Sequence, residues 1–581
     1  MGMTMRGLSY WQAESEGIEL LDTTIGDLLD RNAEELPIQE AVVYSCYPEF
    51  GDVLNIRWTY QEYRERANEV TRGLMALGLN KGDHIAVLAA NIPEWLLLEM
   101  AAAKAGLVLV TVNPMLRAVE IEYILKQGDV QALFFVARVR DYDHLATIRA
   151  LTTPGTQNGG VTSERLPRLR YISLLGASPT NLGEQDGWRP TLFLEMVAGG
   201  EQISEQERRA RQASVKPRDP AQIQYTSGTT GFPKGAILHH HGILNNAMLF
   251  ARRWGLRQSD RYCNPMPFFH TAGCVAAVLG TLSTGSTLHT LLAFDPLKAL
   301  QIINQERCTF YLAVPTMLLA MLQHPDFDHA DLSSLKQVCS GGTPVPVALM
   351  EQVKERMRAD VSIVFGQTET SPVITLTLPD DPIERKVATV GIPLPHTEVK
   401  IIHPVSGEIV SCGEHGELCC RGYLVMAGYY QMPEKTAQAI DSDGWLHTGD
   451  LATMDAQGYV NIVGRLKEMV IRGGENLFPA EIEEVLLRHP SIANAQVVGV
   501  PDAFFGEELL AVVVSKTGEV LTEREVRDYC RGQISHQKVP RYVQFVESYP
   551  MTASGKVQKF VLREQAIKIL GLEEVAKIKT A

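Results

Sequence analysis

The chain has 581 residues, of which 45% are hydrophobic and 21% are charged, close to the average for globular proteins. This composition excludes collagen, coiled coil and wholesale disorder, and a chain of this length can bury a large core without a disulfide framework. The formal charge of −14, from 54 Lys and Arg against 68 Asp and Glu, repels the nucleic-acid backbone, so we expect no nucleic-acid partner.

The cysteines and the apolar segments bear on the location of the protein. The nine cysteines are odd in number and show no C-x-x-C spacing, which favours reduced thiols in a cytoplasmic protein. The N-terminus has no apolar signal core. Residues 95–112 form the most apolar stretch, but Glu99 and Lys104 interrupt it, so we predict no membrane span.

Residues 85–136 alternate between strand-like and helix-like patterns. Residues 85–90 and 107–112 are short apolar runs, and between them Pro93 opens a stretch with apolar side chains at helical spacing. A further apolar run follows at 133–136. Strand, helix and strand in this rhythm predict βαβ units and a largely parallel sheet.

The strongest chemical signal is YTSGTTGFPKG, residues 225–235. Its glycines let backbone N–H groups approach oxyanions, its hydroxyl side chains add donors and its lysine adds a positive charge, which suits a polyphosphate. The alternative is a flexible polar turn. The segment is not a Walker A loop, because Phe232 and Pro233 separate the last inner glycine from the lysine. The candidate phosphate-binding residues are Thr226, Ser227, Gly228, Thr229, Thr230 and Lys234.

From about residue 467 the predicted elements become shorter. Apolar runs at 495–500 and 509–514 predict strands, and Thr522 with Glu525 forms a capping box that opens a helix. We therefore place a domain boundary near 464–468 and predict a small α+β domain from there to the end of the chain.

Seven further segments follow the phosphate loop in a fixed order, and all eight together resemble the signature motifs of the adenylate-forming superfamily. This superfamily includes acyl-CoA synthetases, the adenylation domains of peptide synthetases and beetle luciferases. The resemblance covers residues 58–559. Within the superfamily, ISHQKVPRYV and SGKVQKFVLRE look like medium-chain fatty-acyl-CoA synthetases. The seven segments are PFFH (267–270), SGGTP (340–344), FGQTE (365–369), GWLHTGD (444–450), GRLK (464–467), GGEN (473–476) and PMTASGK (550–556).

The resemblance implies a fold and a two-step reaction. The fold is α/β, with a large doubly wound N-terminal domain that includes a β-barrel-like portion (1–466) and a small mobile α+β C-terminal lid (467–581). The substrate carboxylate first attacks the α-phosphorus of ATP and releases pyrophosphate, and the CoA thiol then attacks the acyl adenylate and releases AMP. ATP and CoA are the expected cosubstrates, Mg²⁺ is the expected cofactor, and a homodimer is left open.

Some candidate roles follow from side-chain chemistry alone. Glu369 is a hard oxygen ligand that could share Mg²⁺ with Thr226, although a surface acid is an equally good interpretation without the resemblance. Asp450 suits the ribose hydroxyls, although in isolation an ordinary aspartate in a turn is the better interpretation. Arg465 could donate to ribose and phosphate or form a surface ion pair. Phe365 could stack on adenine or fill the core.

The glycines and polar residues beside Phe365 complete the predicted nucleotide site. Gly341 and Gly342 would let the backbone lie against a flat base, with a tight turn as the alternative. Thr343 stands where many relatives have Ala, and Phe365 where many have Tyr, which removes one hydrogen bond and keeps stacking. The remaining candidates are Gly366, Gln367 and Thr368.

Other roles come only from the resemblance. In relatives, the lysine that corresponds to Lys556 contacts the substrate carboxylate and the α-phosphate of ATP. The histidine that corresponds to His270 lies near both groups. Lys467 matches the hinge of the mobile domain, and Gly473 and Gly474 lie on the path of the CoA pantetheine arm. The run of three histidines at 239–241 resembles a metal tract, but consecutive helical side chains diverge, so we assign no metal there.

The acid is expected to be medium-chain or similarly sized and apolar. Behind His270 come small and apolar residues at 272–277, and a second presumed wall holds Leu312, Val314, Met317 and Leu318. Four alternatives stay open: a specialised bulky or aromatic acid, a carrier protein in place of CoA, an enzyme that runs only one half-reaction, and a binding protein that has lost catalysis.

Overall fold

The structure is a computed structural model that describes residues 3–4, 7–155, 160–176, 188–226, 233–343, 345–473, 475–531, 533–551 and 557–577. The chain divides into two compact units. The first consists mainly of Trp11–Val399 and Cys420–Leu446, and the second of Thr4–Tyr10, Lys400–Cys419 and His447–Ala581. This division does not show about which residue the C-terminal lid rotates. The predicted domain boundary between residues 466 and 467 therefore stays a prediction.

The first unit contains an eight-stranded sheet with a parallel centre. His84–Leu88 lies between Val108–Val112 and Val130–Val136 and runs parallel to both, which confirms the predicted strand–helix–strand units. These strands are buried on both faces, so their sequences are continuous apolar runs without alternation. In spatial order the strands are Thr191–Leu192, Tyr171–Leu175, Val130–Val136, His84–Leu88, Val108–Val112, Pro220–Thr226, Lys234–His239 and Gly428–Tyr429.

A nine-stranded sheet forms the second layer of this unit. Its central strands are parallel, and antiparallel strands stand at both ends. Parallel strands place their carboxyl ends along one edge, where ligands bind in folds of this kind. In spatial order the strands are Ile392–Pro393, Val373–Leu376, Asp360–Gly366, Gln337–Gly341, Phe310–Leu312, Arg261–Asn264, Thr287–Thr290, Glu40–Tyr44 and Ile56–Thr59.

Helices cover these sheets. Pro93–Ala105 begins with proline in its first turn and ends at Gly106 in a left-handed conformation. The other α-helices of the first unit are Ile25–Glu35, Tyr60–Ala76, Ala118–Gln127, His144–Leu151, Phe193–Gly199, Glu205–Ala213, His240–Trp254, Gly280–Thr284, Pro296–Glu306, Pro315–Leu322, Val347–Gln352, Ile383–Ala388 and Pro433–Ala439.

Glu99 and Lys104, which argued against a membrane span, lie on Pro93–Ala105 and are themselves buried. Glu99 accepts a hydrogen bond from Gln222 at 2.7 Å, and Lys104 forms an ion pair with Asp30. A helix that is packed on all sides explains why this stretch is so apolar. Among the described residues, no helix combines the length and the apolar character that a membrane span requires.

A third sheet has six strands in a linear order, and the barrel-like portion that the resemblance implies stays a prediction. Within its strand Leu446–Met454, Gly449 has a φ of +70°, a conformation that favours glycine. Its strands are Met3–Thr4, Tyr10–Gln12, Thr397–Ile402, Gly416–Gly422, Leu446–Met454 and Val460–Arg465.

The C-terminal part is a small α+β body, as predicted. The long hairpin of Ile492–Asp502 and Gly506–Ser515 corresponds to the two predicted strands. Thr522 and Glu525 cap each other's backbone N–H groups, and the helix that they open buries Val526 and Cys530. The other strands are Val470–Arg472, Glu475–Leu477 and Tyr542–Phe545, and the helices are Pro479–Leu487, Glu523–Arg531 and Lys559–Ile569.

Candidate active site

A buried tyrosine joins a lysine and a carboxylate in the first unit. Tyr429 donates a hydrogen bond to Glu369 Oε1 at 2.7 Å, and Lys234 Nζ donates to Tyr429 Oη at 2.9 Å. The Lys234 ammonium also lies 4.1 Å from the centre of the Tyr429 ring. Burial, together with the Glu369 carboxylate, raises the pKa of Tyr429, so the phenol stays protonated and acts as the donor. We call these three residues the Tyr429 cluster.

Backbone pairing positions the Tyr429 cluster. Gly428–Tyr429 adds to the edge of Lys234–His239, with Ala236 opposite Tyr429. Met426 N donates to Glu369 O at 2.9 Å. Glu369 itself lies in a short 3₁₀ turn just after the carboxyl end of Asp360–Gly366. Strand pairing therefore brings together side chains that lie far apart in the sequence.

Thr226 and Lys234 stand opposite each other at the base of the predicted phosphate loop. They pair across two antiparallel strands, and Thr226 Oγ1 donates to Lys234 O at 3.4 Å. The loop therefore connects two strands, and the helix predicted from about residue 241 begins at His240 after the second of them. The four intervening candidates, Ser227, Gly228, Thr229 and Thr230, lie outside the described residues.

The candidates for adenine binding stand at the carboxyl ends of two neighbouring parallel strands, Gln337–Gly341 and Asp360–Gly366. A Cβ on Gly341 would lie 2.2 Å from Val364 O, so the close approach of the next strand requires glycine here. Phe365 is half-buried. Beyond the strands lie Gly342 and Thr343, which are exposed, and Gln367 and Thr368, which are half-buried.

His270 precedes a π-helical segment, Ala272–Leu279. The Nδ1 atom of His270 accepts a hydrogen bond from Ala272 N at 3.1 Å. π-Helical turns are rare and occur frequently at functional sites. Along the second presumed wall, Leu312 and Leu318 are buried and Val314 and Met317 are half-buried; the fully buried Leu318 packs in the core.

A buried polar network, which the sequence did not predict, adjoins this segment. Gln224 donates to Gln222 Oε1 at 2.7 Å and contacts Cys274 Sγ at 3.1 Å, and Gln222 donates to Glu99. Burial raises the pKa of Glu99 well above its usual value. Cys274 therefore has polar neighbours, although its place in the sequence indicated a purely apolar wall.

Asp450 and Arg465 form an ion pair in the second compact unit. They are opposite each other on antiparallel strands, and Arg465 Nε lies 2.8 Å from Asp450 Oδ1. The Asp450 side chain is only 4% exposed, whereas that of Arg465 is 47% exposed. Arg465 therefore forms an ion pair, which was the alternative to its nucleotide role. Its partner is Asp450, the candidate for the ribose hydroxyls.

The predicted hinge lies in a short 3₁₀ turn, Leu466–Glu468. Lys467 is exposed, and the next residue, Glu468, binds Lys559 with an Nζ–Oε2 distance of 2.9 Å. Lys559 also binds Glu483 at 2.8 Å. The residue after the predicted hinge is therefore anchored to the helices of the C-terminal body.

One of the remaining site candidates, Gly473, is described, and two, Gly474 and Lys556, lie outside the described residues. Gly473 N donates to Phe505 O at 2.8 Å, at the tip of the long hairpin. The positions of Gly474 and Lys556 are not among those described. The segment that contains Lys556 is flanked by Met551 and Val557, which form a β-bridge.

The three consecutive histidines have separate structural partners. His239 Nδ1 accepts from Gly242 N at 2.7 Å and caps a helix, and His240 Nδ1 accepts from Ile25 N at 3.4 Å. Burial lowers the pKa of both side chains to about 4, so they are neutral at pH 7. These contacts agree with a structural role for the tract.

Comparison with known proteins gives the family. Residues 29–430 match the model of the AMP-binding enzyme family, and residues 481–556 match the AMP-binding enzyme C-terminal domain. The chain is 45% identical to YngI of Bacillus subtilis (strain 168) over 95% of this chain and 99% of that protein. The chain belongs to the AMP-binding enzyme family.

Two more relatives extend the comparison. The mouse medium-chain acyl-CoA ligase ACSF2, a mitochondrial protein, is 38% identical over 96% of this chain and 90% of its own length. The crystal structure of the anthranilate CoA ligase AuaEII with anthranoyl-AMP superposes with a TM-score of 0.80 at 26% identity, and the match covers 96% of this chain and all of that one.

As a member of the AMP-binding enzyme family, the chain is an adenylate-forming acid–CoA ligase that uses ATP and CoA. The expected α/β fold with a large N-terminal and a small C-terminal domain is confirmed. The sequence did not point to Tyr429 as a site residue, although the pair Gly428-Tyr429 directly precedes the end of the family match at residue 430.

Proposed function

We propose that this ligase activates a medium-chain or similarly sized apolar carboxylic acid. The observation that carries the nucleotide part of the proposal is the Tyr429 cluster, in which a phenol holds an ammonium and a carboxylate side by side at the strand ends. An ammonium suits phosphate oxygens and a carboxylate suits the counter-cation of ATP, so one rigid cluster can orient both.

The parts of the nucleotide are assigned to individual residues. Lys234 and the hydroxyls of the phosphate loop take the phosphates, and Phe365 with Gly341 and Gly342 takes the adenine. Asp450 takes the ribose hydroxyls, supported by an almost fully buried carboxylate that Arg465 holds at 2.8 Å. Arg465 remains exposed enough to reach a ligand as well.

The residues present fit a magnesium ion. Glu369 offers a half-buried carboxylate of which one oxygen accepts from Tyr429, and Thr226 stands opposite Lys234, which contacts the same tyrosine. Carboxylate and hydroxyl oxygens are hard ligands, and Mg²⁺ uses one or two of them beside phosphate oxygens and water. When bound, Mg²⁺ supplies charge neutralisation to the phosphates.

The first half-reaction needs positioning and charge more than proton transfer. The substrate carboxylate is already a nucleophile at pH 7, so Lys556 is assigned to stabilise the charge that develops on the α-phosphate. His270 is assigned a role close to the reacting carboxylate. Its Nδ1 accepts from the first residue of the π-helical segment, which fixes the ring at the start of the presumed acyl wall.

The second half-reaction is assigned to rotation of the C-terminal body about Lys467. Glu468 is anchored to Lys559 of that body, which supports a pivot at or before Lys467. Gly473 and Gly474 would then line the path of the pantetheine arm.

The nine free cysteines support a reducing, cytoplasmic location.

The preferred chain length is tested with straight-chain acids of four to eighteen carbons. Each acid is offered with ATP and CoA, and the release of pyrophosphate and the formation of thioester are both measured. Each buried CH₂ should contribute up to ~0.8 kcal/mol, or about 4-fold in kcat/KM, until the pocket ends. We expect kcat/KM to climb and then to flatten or fall at intermediate length.

Four outcomes would contradict parts of this proposal. A ring acid preferred over every straight chain would reject the fatty acid and keep the ligase, and a preference for acetate would reject the apolar pocket. Pyrophosphate release without thioester, or thioester formed only on a carrier protein, would reassign the acceptor.

A further inference from the structure

Glu417 is hydrogen-bonded to the strand segment 447–450, which carries Asp450. Its Oε2 lies 2.9 Å from His447 Nδ1, and its Oε1 accepts from Gly449 N at 3.1 Å. The Glu417 side chain is 10% exposed. One carboxylate therefore binds two residues of the segment 447–450, a ring nitrogen with one oxygen and a backbone N–H with the other.

Thr448 makes two further hydrogen bonds in the same strand segment. Its Oγ1 donates to Leu418 O at 2.7 Å and accepts from Asp450 N at 3.0 Å. Gly449 follows within the strand Leu446–Met454 with a φ of +70°, a conformation that favours glycine. Residues 447, 448 and 449 are thus each hydrogen-bonded to the adjacent pair Glu417 and Leu418, which holds the backbone before Asp450.

We propose that Glu417 is a positioning residue for the nucleotide: it holds the strand segment 447–450 so that Asp450 presents its carboxylate to the ribose. The inference rests on the proposed ribose role of Asp450. Arg465 holds the same carboxylate from the neighbouring strand at 2.8 Å, so Asp450 is fixed from two directions. A carboxylate that discriminates between hydroxyl patterns must be held to within a fraction of an ångström.

A bound metal ion is the competing explanation for this cluster. Glu417, Cys419 and His447 offer ligand atoms that lie within 4.8 Å of one another, and Cys419 Sγ is 3.6 Å from His447 Nδ1. These are residue types that zinc uses. Both oxygens of Glu417 already accept hydrogen bonds, however, which favours the positioning role and makes the metal content a part of the test.

The test compares ATP with 2′-deoxy-ATP and 3′-deoxy-ATP in pyrophosphate release. Hydrogen bonds to a charged group predict that the wild type prefers ATP about 10-fold or more in kcat/KM. Glu417→Met can form neither bond, and we expect the preference to fall to about 2- to 3-fold. A residue that served stability alone would change the melting temperature and leave this ratio unchanged.

Three further variants sharpen the result. Glu417→Gln should keep most of the preference, because its amide oxygen can accept from Gly449 N and its NH₂ can donate to the other tautomer of His447. Thr448→Val, nearly the same size as threonine, should lose the preference and serves if Glu417→Met does not fold. Glu414→Gln is the matched control, since Glu414 accepts a backbone N–H from Ser411 in the same segment.

The outcomes distinguish a failure of the ribose role of Asp450 from a failure of the positioning role of Glu417. If the wild type does not distinguish the three nucleotides, the ribose role of Asp450 fails and this inference fails with it. If the wild type distinguishes them and both Glu417→Met and Thr448→Val do so equally well, only the role of Glu417 is overturned. One zinc ion per purified chain, lost in Glu417→Met, would also overturn it.

Discussion

Tyr429 donates its phenolic hydrogen to Glu369 at 2.7 Å across 60 residues of sequence. Lys234 Nζ in turn donates to the phenolic oxygen of Tyr429. The phenol therefore stands between an ammonium and a carboxylate and keeps the two charged groups close together. Removal of the hydroxyl should loosen both charged groups at once.

Tyr429→Phe removes this hydroxyl and keeps the ring beneath the Lys234 ammonium. We expect kcat/KM for ATP to fall about 10-fold or more, since the lost bonds involve charged groups. Steady-state pyrophosphate release measures the effect. The control is Tyr430→Phe, whose hydroxyl binds Asp129 at 3.0 Å, and an equal loss in both variants would show that the cluster has no special role.

Glu369→Gln keeps the size of the side chain and removes its charge. If Glu369 is the magnesium ligand, the Mg²⁺ concentration for half-maximal pyrophosphate release should rise on the order of 10-fold or more. Glu384→Gln, at an exposed acid on Ile383–Ala388, is the control. An unchanged magnesium titration in Glu369→Gln would place the ligand elsewhere.

Lys556→Ala should separate the two half-reactions. Loss of the positive charge at the α-phosphate predicts slower adenylation on the order of 10²–10³-fold. A supplied acyl adenylate with CoA should still give thioester at nearly the normal rate. Lys568→Ala, at an exposed helical lysine, is the control, and equal loss of both steps in Lys556→Ala would reject the assignment.

Lys467→Pro should produce the opposite pattern. Proline restricts φ to about −65°, so rotation at this residue should be impaired while the adenylating arrangement remains available. Pyrophosphate release should stay near normal and thioester formation should slow. Lys467→Ala, which leaves φ unrestricted, should form thioester normally; unchanged CoA turnover in the proline variant would move the pivot to another residue.

The buried ion pair of Lys104 and Asp30 predicts a pH dependence of stability. Burial, only partly offset by Asp30, lowers the pKa of Lys104 to about 8. Between this value and the unfolded value near 10.5 the unfolded chain binds more protons, so the free energy of unfolding gains a term that rises with pH, by up to about 1.4 kcal/mol per pH unit.

Urea unfolding at pH values from 7.5 to 10 measures this term. Lys104→Met removes the titrating group, so the slope of its stability against pH should be lower than that of the wild type. Lys568→Met, at an exposed lysine, should keep the wild-type slope. Parallel curves for the wild type and Lys104→Met would contradict the lowered pKa.

Much of this protein could be predicted from local sequence. The apolar runs at 85–90 and 107–112 predicted buried parallel strands, and Thr522 with Glu525 predicted a helix start, because strand burial and capping depend on neighbouring residues. The order of the eight motifs predicted the family, since each motif is a short local signal.

Only the tertiary structure decided which side chains meet. Tyr429 reaches Lys234 across 195 residues because their strands pair. Glu417 reaches the residues before Asp450 because the strand Gly416–Gly422 lies beside Leu446–Met454. Gln222 and Gln224 appeared as ordinary strand residues until folding placed Glu99 beside them. Strand order and register are set by packing across the whole domain, so no local pattern predicts such partners.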